Sequence, residues 1–298
     1  MLQIKSKKFF TITTILSILL SLNLGLTSCS NDTNSSQNNT PTTVSTLEKI
    51  RNDDKIAIGI KTDYRPFGFI DEGGKNVGLE VDIAHYLTKE LLGEETKVEF
   101  VPVVASNRIE FLKQGKVDLV IATMNDTPER RKVIDFSENY YASGTGLLTK
   151  KDSGINSWDD LKGKTVCGIQ GSFYNKKLTE MGIKMSNFPG TPEAYKALQE
   201  GRCIGFAFDD SALAGKLLEP EWSQDWHQAL PSILLQPWGM GIKKGDQEFV
   251  DAINEAIIKM EAEGFIVDGV NKWKIPSTEY AQTRMSQAQE KTQNNTTN

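Results

Sequence analysis

The sequence predicts an α/β fold built as two successive units, and three observations carry this reading. Short apolar strands alternate with helical patterns through most of the chain, as in mainly parallel sheets. The alternation restarts after a break at Tyr141–Thr145, and a second break falls at Pro231–Trp238. In both units polar and charged residues gather where a strand ends, which is where open α/β sheets bind ligands. These are Lys61, Thr123 and Arg130 in the first unit and Ser172 and Asp209 in the second.

The elements follow in order. Lys55–Ile60 alternates as a strand and runs into the turn-rich segment Lys61–Pro66. Apolar residues at 79, 83, 87 and 91 make Leu79–Leu92 a one-faced helix. Val98–Val103 reads as a strand, Ile109–Gln114 as a helix and Val117–Ala122 as a buried strand. In the second unit Ser157–Asp160 resembles a capping box opening a short helix. Thr165–Ile169 and Ile204–Phe208 read as strands, and Thr191-Pro-Glu opens the helix between them. Asp246–Glu263 is a long amphipathic helix with Phe249, Ile253, Ile257 and Met260 on one face.

The ends are of a different kind. Lys5, Lys7 and Lys8 precede an apolar run from Phe9 to Leu26, the pattern of a secretory signal over residues 1–28. Asn23, Gly25 and several Thr and Ser weaken a membrane-helix reading. Cys29 follows directly and is either an ordinary thiol or a processed N-terminus. The Ser/Asn/Thr-rich stretch after it cannot form a core and reads as a flexible tether over 29–46. The polar tail, residues 277–298, is expected to be disordered. A net charge of −5 without a long basic run gives no reason to expect nucleic acid. Apart from Cys29 only Cys167 and Cys203 remain, an even count that suits an exported protein.

The segment Thr123–Tyr141 is the most informative. Thr127 fits the N-cap and Pro128 the first position of a helix that follows the Val117–Ala122 strand. Arg130 then falls in the first turn, beside Thr123 and Asn125. Such a guanidinium can receive a small carboxylate, although many Thr-Pro-Glu-Arg strings are only solvated helix starts.

Pro66-Phe-Gly-Phe, Gly78-Leu-Glu-Val-Asp82, Thr127-Pro-Glu-Arg130, Phe136-Ser-Glu-Asn-Tyr-Tyr141, Leu161-Lys-Gly-Lys164 and Gln170-Gly-Ser172 together resemble the periplasmic solute-binding proteins of polar amino-acid ABC importers. The resemblance spans about residues 47–276. It implies a two-lobed, type II periplasmic-binding-protein fold with two crossover strands and the ligand between the lobes. Lobe 1 would comprise 47–142 and 238–276, and lobe 2 would comprise 143–237. It also implies a monomeric receptor that is not an enzyme, needs no cofactor or metal, and serves a membrane permease and its ATPase. Leu26-Thr-Ser-Cys29 resembles a bacterial lipobox, which implies an exported protein, periplasmic or on the outer face of the cytoplasmic membrane, anchored through lipid on Cys29.

By position, the resemblance gives Arg130 the ligand α-carboxylate, with help from Thr123, Ser172 and the Phe173 backbone. Asp209 would take the α-ammonium, with the Met124 carbonyl or Asn125; alternatively it is a helix N-cap before Ser211–Leu218. Cys167 and Cys203 would lie on neighbouring strands and form a disulfide. Lys61 and Arg108 place two cations by the side-chain pocket, which implies glutamate or aspartate rather than a cationic ligand; either residue alone reads equally as a surface charge. Glutamine or a broader amino-acid set is the alternative. Tyr64 and Phe67 would form an apolar wall, with simple core packing an equal reading for Phe67, and Trp238 in the second crossover would narrow the cleft or stack on the ligand. The charge of Asp126 beside the anion site has no account. An enzyme on this fold, of dehydratase type, finds no support in His85 or His227, neither of which lies in a hydrolase, zinc or phosphate-loop motif. A surface adhesin or sensor remains a further reading.

Overall fold

A computed structural model describes residues 45–276 and 279–296. The signal segment 1–28, Cys29 and nearly all of the tether lie outside the described residues. In the first half the strands are β1 (Ile56–Ile60), β2 (Asp63–Tyr64), β3 (Gly68–Ile70), β4 (Asn76–Val77), β5 (Val98–Pro102) and β6 (Leu119–Ile121). Then come β7 (Ile134–Lys150), β8 (Thr165–Ile169), β9 (Lys184–Phe188), β10 (Gly205–Asp209), β11 (Trp226–Gln228) and β12 (Ile233–Lys243). The helices up to the second lobe are α1 (Thr46–Asn52), α2 (Leu79–Leu92), α3 (Arg108–Lys113) and α4 (Pro128–Arg131). They continue as α5 (Tyr174–Glu180), α6 (Thr191–Gln199), α7 (Asp210–Lys216), α8 (Pro220–Ser223), α9 (Gln247–Ala262), α10 (Phe265–Lys272) and α11 (Glu279–Thr296).

Among the described residues one sheet runs in the order β5-β1-β6-β12-β7-β10-β8-β9, with β11 on β7, and β2-β3-β4 form a small separate sheet. The first lobe is the parallel set β5-β1-β6, the second the parallel set β10-β8-β9. The two long strands β7 and β12 pair antiparallel and join them. The first apparent break, Tyr141–Thr145, is therefore the middle of β7, and the second, Pro231–Trp238, leads into the first half of β12. Their register shifts near Gln236 and again on both sides of Gly239, so the pairing is locally irregular where the chain passes between lobes.

Burial explains the elements. Ile56 and Ile58 of β1 pack with Leu79, Ile83 and Leu87 of α2 and Ile253 and Ile257 of α9 on one face. Val117, Val120 and Leu112 fill the other face with α3. Each such side chain contributes roughly 1.5–3 kcal/mol when fully buried. Gly93 stops α2 in the left-handed conformation at φ 81°. Ser157 and Asp160 form the capping box, although the helix they open is a 3-10 turn, Trp158–Leu161.

Cys167 and Cys203 are bonded, with Cα atoms 5.5 Å apart. Cys167 lies level with Phe206 of β10, and the turn before β10 brings Cys203 back to it. The tail differs from its expected disorder. Residues 279–296 form α11, which buries Ala281 and Ala288. Arg284 of this helix pairs with Glu261 at 2.9 Å and reaches Glu138 at 3.3 Å. Only the two alanines are buried, with Tyr280, Arg284 and Met285 half-buried beside them. No helix among the described residues is long and apolar enough to cross a membrane.

Candidate ligand-binding site

The carboxyl end of β1 delivers Lys61, and the start of α3 delivers Arg108; each is only 2% exposed. Arg108 Nη1 donates to the Ala122 carbonyl at the end of β6, and the Lys61 ammonium stands 5.4 Å from the Tyr64 ring centroid. Burial lowers the pKa of both cations. Facing them is Glu80, fully buried in the first turn of α2. Its Oε1 accepts from the Thr123 N–H at 2.6 Å and from the Tyr140 phenol. Burial pushes the Glu80 carboxyl up to about 7, against the opposing pull of Tyr140, Thr123 N–H and Arg108.

Thr127 caps α4 as its sequence position predicts, its hydroxyl accepting from Arg130 N at 3.3 Å, with Pro128 opening the helix. Arg130 Nη1 donates to Asn125 O at 2.7 Å, and Nη2 reaches across to Gly171 O of the second lobe at 3.0 Å. Burial, reinforced by the neighbouring charge of Arg108, brings its pKa down to about 9. Asp126 now has an account. It forms a two-point pair with Arg131, with Nε 2.6 Å from Oδ1 and Nη2 2.5 Å from Oδ2, and also accepts from Asn139 at 3.2 Å. Its charge is thus engaged beside the anion site.

In the second lobe Asp209 ends β10 at the N-cap position of α7, yet makes no side-chain cap bond. Its carboxylate instead accepts from the Tyr64 phenol of the first lobe. Burial pushes Asp209 up to about 7, the bond from Tyr64 opposing the shift. Ser172 and Phe173 occupy the turn between β8 and α5, with the Phe173 ring 5.5 Å from that of Tyr174. Two further contacts hold the lobes together. Asp63 accepts from Thr191 N at the start of α6 at 3.0 Å, and its carbonyl accepts from the Thr191 hydroxyl at 2.5 Å. Gly171, at φ 80°, lies so close to the first lobe that a Cβ there would be 2.7 Å from Ala105 O.

The remaining candidates sit deeper. Met124 is in the core, and its carbonyl accepts from Gly239 N at 3.1 Å, so that oxygen already serves the sheet. Trp238 is fully buried against Phe67 and Tyr141, with ring centroids 4.9 and 5.1 Å away, so it packs as core rather than lining an open surface. Phe67 shares that core. Glu80 Oε2, Arg108 Nε, Asn125 Nδ2 and Trp238 Nε1 are buried without a hydrogen-bond partner among the described residues. Asn76, Thr145, Tyr174 and Asn175 have such atoms as well, so the property is not confined to the candidate residues. Sequence reasoning passed over Glu80, Tyr140 and Asp63. Glu80 was visible only as a carboxylate in the first turn of a helix, where an ordinary dipole contribution explains it.

Lys61 and Arg108 therefore share the fields of Glu80 and Asp209, Lys61 also that of Asp63, and Arg130 that of Asp209. This set can hold a zwitterion by both ends. The sequence profile of the bacterial extracellular solute-binding proteins, family 3, matches residues 56–275. The chain belongs to this family. The glutamine-binding protein GlnH of a Bacillus subtilis ABC transporter is 34% identical over 232 residues, 76% of this chain and 84% of that one. An L-glutamate/L-aspartate-binding protein of Pseudomonas aeruginosa is 30% identical over 239 residues, covering 76% and 79%. A crystal structure of a Neisseria gonorrhoeae solute receptor for L-cysteine superposes with a TM-score of 0.72 at 30% identity, covering 76% and 92%. The family 3 solute-binding protein is thus two-lobed like its solved relative, and the Arg130–Gly171 and Tyr64–Asp209 contacts join its two halves.

Proposed function

We propose that this family 3 protein captures an acidic amino acid, L-glutamate or L-aspartate, between its lobes and delivers it to the permease and ATPase of an ABC importer. In this reading Arg130 and Thr123 take the α-carboxylate, Asp209 takes the α-ammonium, and Lys61 with Arg108 takes the side-chain carboxylate. Ser172 and the Phe173 backbone close on the carboxylate from the second lobe, while Tyr64 and Asn125 line the cleft. Cys29 carries the lipid that keeps the exported receptor at the membrane.

The observation that carries the ligand class is the burial of the two cations Lys61 and Arg108, with Arg130 beside Arg108, where the Glu80 and Asp209 carboxyls are both pushed up to about 7 and so carry only part of their charge near neutral pH. Removing charges from water is tolerable only when partners compensate them. An α-carboxylate and a side-chain carboxylate supply two anions against one ammonium, which offsets the excess. A neutral amide would add no anion to the Asp63, Glu80 and Asp209 carboxyls that already act on this pair. GlnH favours glutamine as the competing ligand. A thermal-shift panel of the twenty amino acids separates these readings, because a ligand held by the native state raises the melting temperature according to RT ln(1 + [L]/Kd). Glutamate or aspartate should give the largest shift. A large shift with glutamine and none with the acids would overturn the acidic assignment.

A further inference from the structure

Glu80 has features that holding a fold together does not require. It is fully buried, and only one of its oxygens is used. That oxygen holds Thr123, a non-glycine residue in the left-handed region at φ 48°, by its N–H, and also accepts from Tyr140 of β7. Thr123 is in turn assigned to the ligand carboxylate. The other oxygen, Oε2, has no partner among the described residues. The charged and titratable groups facing the carboxyl are Arg108 from α3, Lys61 past β1, Tyr140 from β7 and Tyr64 from β2. Two of these are the cations given to the ligand side chain.

We propose that Glu80 is the specificity-determining residue of this site. It is the resident counter-charge of the Lys61–Arg108 pair, and it takes up a proton when a ligand carboxylate comes to share that pair. The inference rests on the acidic-ligand reading. Two carboxylates beside one cation pair repel, and the arrival of the second raises the proton affinity of the first. The proton comes from solvent and adds to Glu80, turning an orphan acceptor into a donor and leaving the ligand carboxylate ionised. A glutamine side chain brings no charge and calls for no proton. Burial already poises Glu80 near neutrality, which makes such uptake accessible at ordinary pH. The preference between glutamate and glutamine then depends on pH, with acid favouring glutamate.

Calorimetric titration of the wild type and of Glu80→Gln with L-glutamate and L-glutamine tests this, at pH 6 to 9 and in buffers of different ionisation enthalpy. Wild-type protein should take up protons with glutamate but not with glutamine. Its preference for glutamate should fall about tenfold from pH 6 to pH 9, the effect of about one unit of pKa coupling. Glu80→Gln should abolish both the uptake and the pH trend and raise the preference for glutamate at pH 8. Equal weakening of both ligands in Glu80→Gln, or unchanged proton uptake, would reduce Glu80 to a structural role and overturn the inference. If that variant fails to fold, wild-type protein binding glutamate at pH 8 without proton uptake overturns it alone. Wild-type protein that binds neither ligand, or glutamine alone at every pH, overturns this inference; the acidic reading falls with it only if L-aspartate, titrated alongside, also fails to bind.

Discussion

Arg130 donates from Nη2 to the carbonyl oxygen of Gly171 at 3.0 Å, so one guanidinium of the first lobe touches the backbone of the second. Its other terminal nitrogen is on Asn125 O. A ligand carboxylate here would meet a cation already aimed across the cleft. Arg130→Ala should weaken amino-acid binding by about 2–3 kcal/mol, about a hundredfold in Kd, as expected for a charge-assisted bidentate pair. Arg130→Lys should recover little, because an ammonium cannot reproduce the planar fork. Titration calorimetry measures both variants, and an unchanged Kd in Arg130→Ala would remove the anion site.

Asp63 joins the small β2-β3-β4 sheet of the first lobe to the N-terminus of α6 in the second. None of the residues assigned to the ligand makes this contact. Asp63→Ala should therefore favour the open arrangement and, because it also removes a carboxylate acting on Lys61, leave acidic ligands at least as strongly preferred. We expect Kd to rise about tenfold, mainly through faster release, in line with about 1–1.5 kcal/mol for a hydrogen bond to a charged group. Stopped-flow release rates with several amino acids provide the check. Unchanged release rates, or a loss of preference for the acidic ligands, would contradict this.

The Cys167–Cys203 bond closes a loop with a sequence separation of 36. In the chain-entropy picture its removal costs about 3–4 kcal/mol. Replacing both cysteines with serine should lower the melting temperature clearly while leaving ligand binding intact at temperatures where the protein remains folded. Chemical denaturation with and without ligand measures both effects. An unchanged midpoint would contradict the bond's stabilising role.

Glu80 and Asp209 are acids whose pKa is pushed up by burial to about 7 in the folded protein. Their unfolded counterparts ionise near 4. Each therefore favours the folded state fully below about pH 4, and that advantage is lost as pH rises through 7, a change of about 4 kcal/mol per group. For the ligand-free protein, Glu80→Gln should flatten the fall in stability between pH 5 and pH 8. Urea unfolding of both proteins across this range checks the sign, and an unchanged slope in the variant would refute it.

The parts of the fold legible in sequence were those with strong apolar periodicity. The helix Leu79–Leu92 has the same limits in sequence and structure because residues 79, 83, 87 and 91 mark one face. The hinge strands were hidden because Gly144, Gly146, Pro237, Gly239 and Gly241 interrupt the strand pattern. Helix α11 was hidden because its inward stripe of Ala281, Arg284 and Ala288 looks polar in composition. At the site, Lys61, Thr123 and Asp209 could be picked out because each stands where a strand ends, and Arg130 because it opens the helix that follows one. Glu80 and Asp63 act through partners 43 and 128 residues away, and sequence spacing does not reveal such pairings.

The most direct test of the account is a titration of the wild-type protein at pH 7 with L-glutamate, L-aspartate, L-glutamine and L-arginine, repeated with Lys61→Met. The account predicts that an acidic ligand binds tightest and that Lys61→Met weakens the acids selectively, by about tenfold or more relative to glutamine. Tightest binding of arginine or glutamine, with Lys61→Met leaving the acids unaffected, would contradict it.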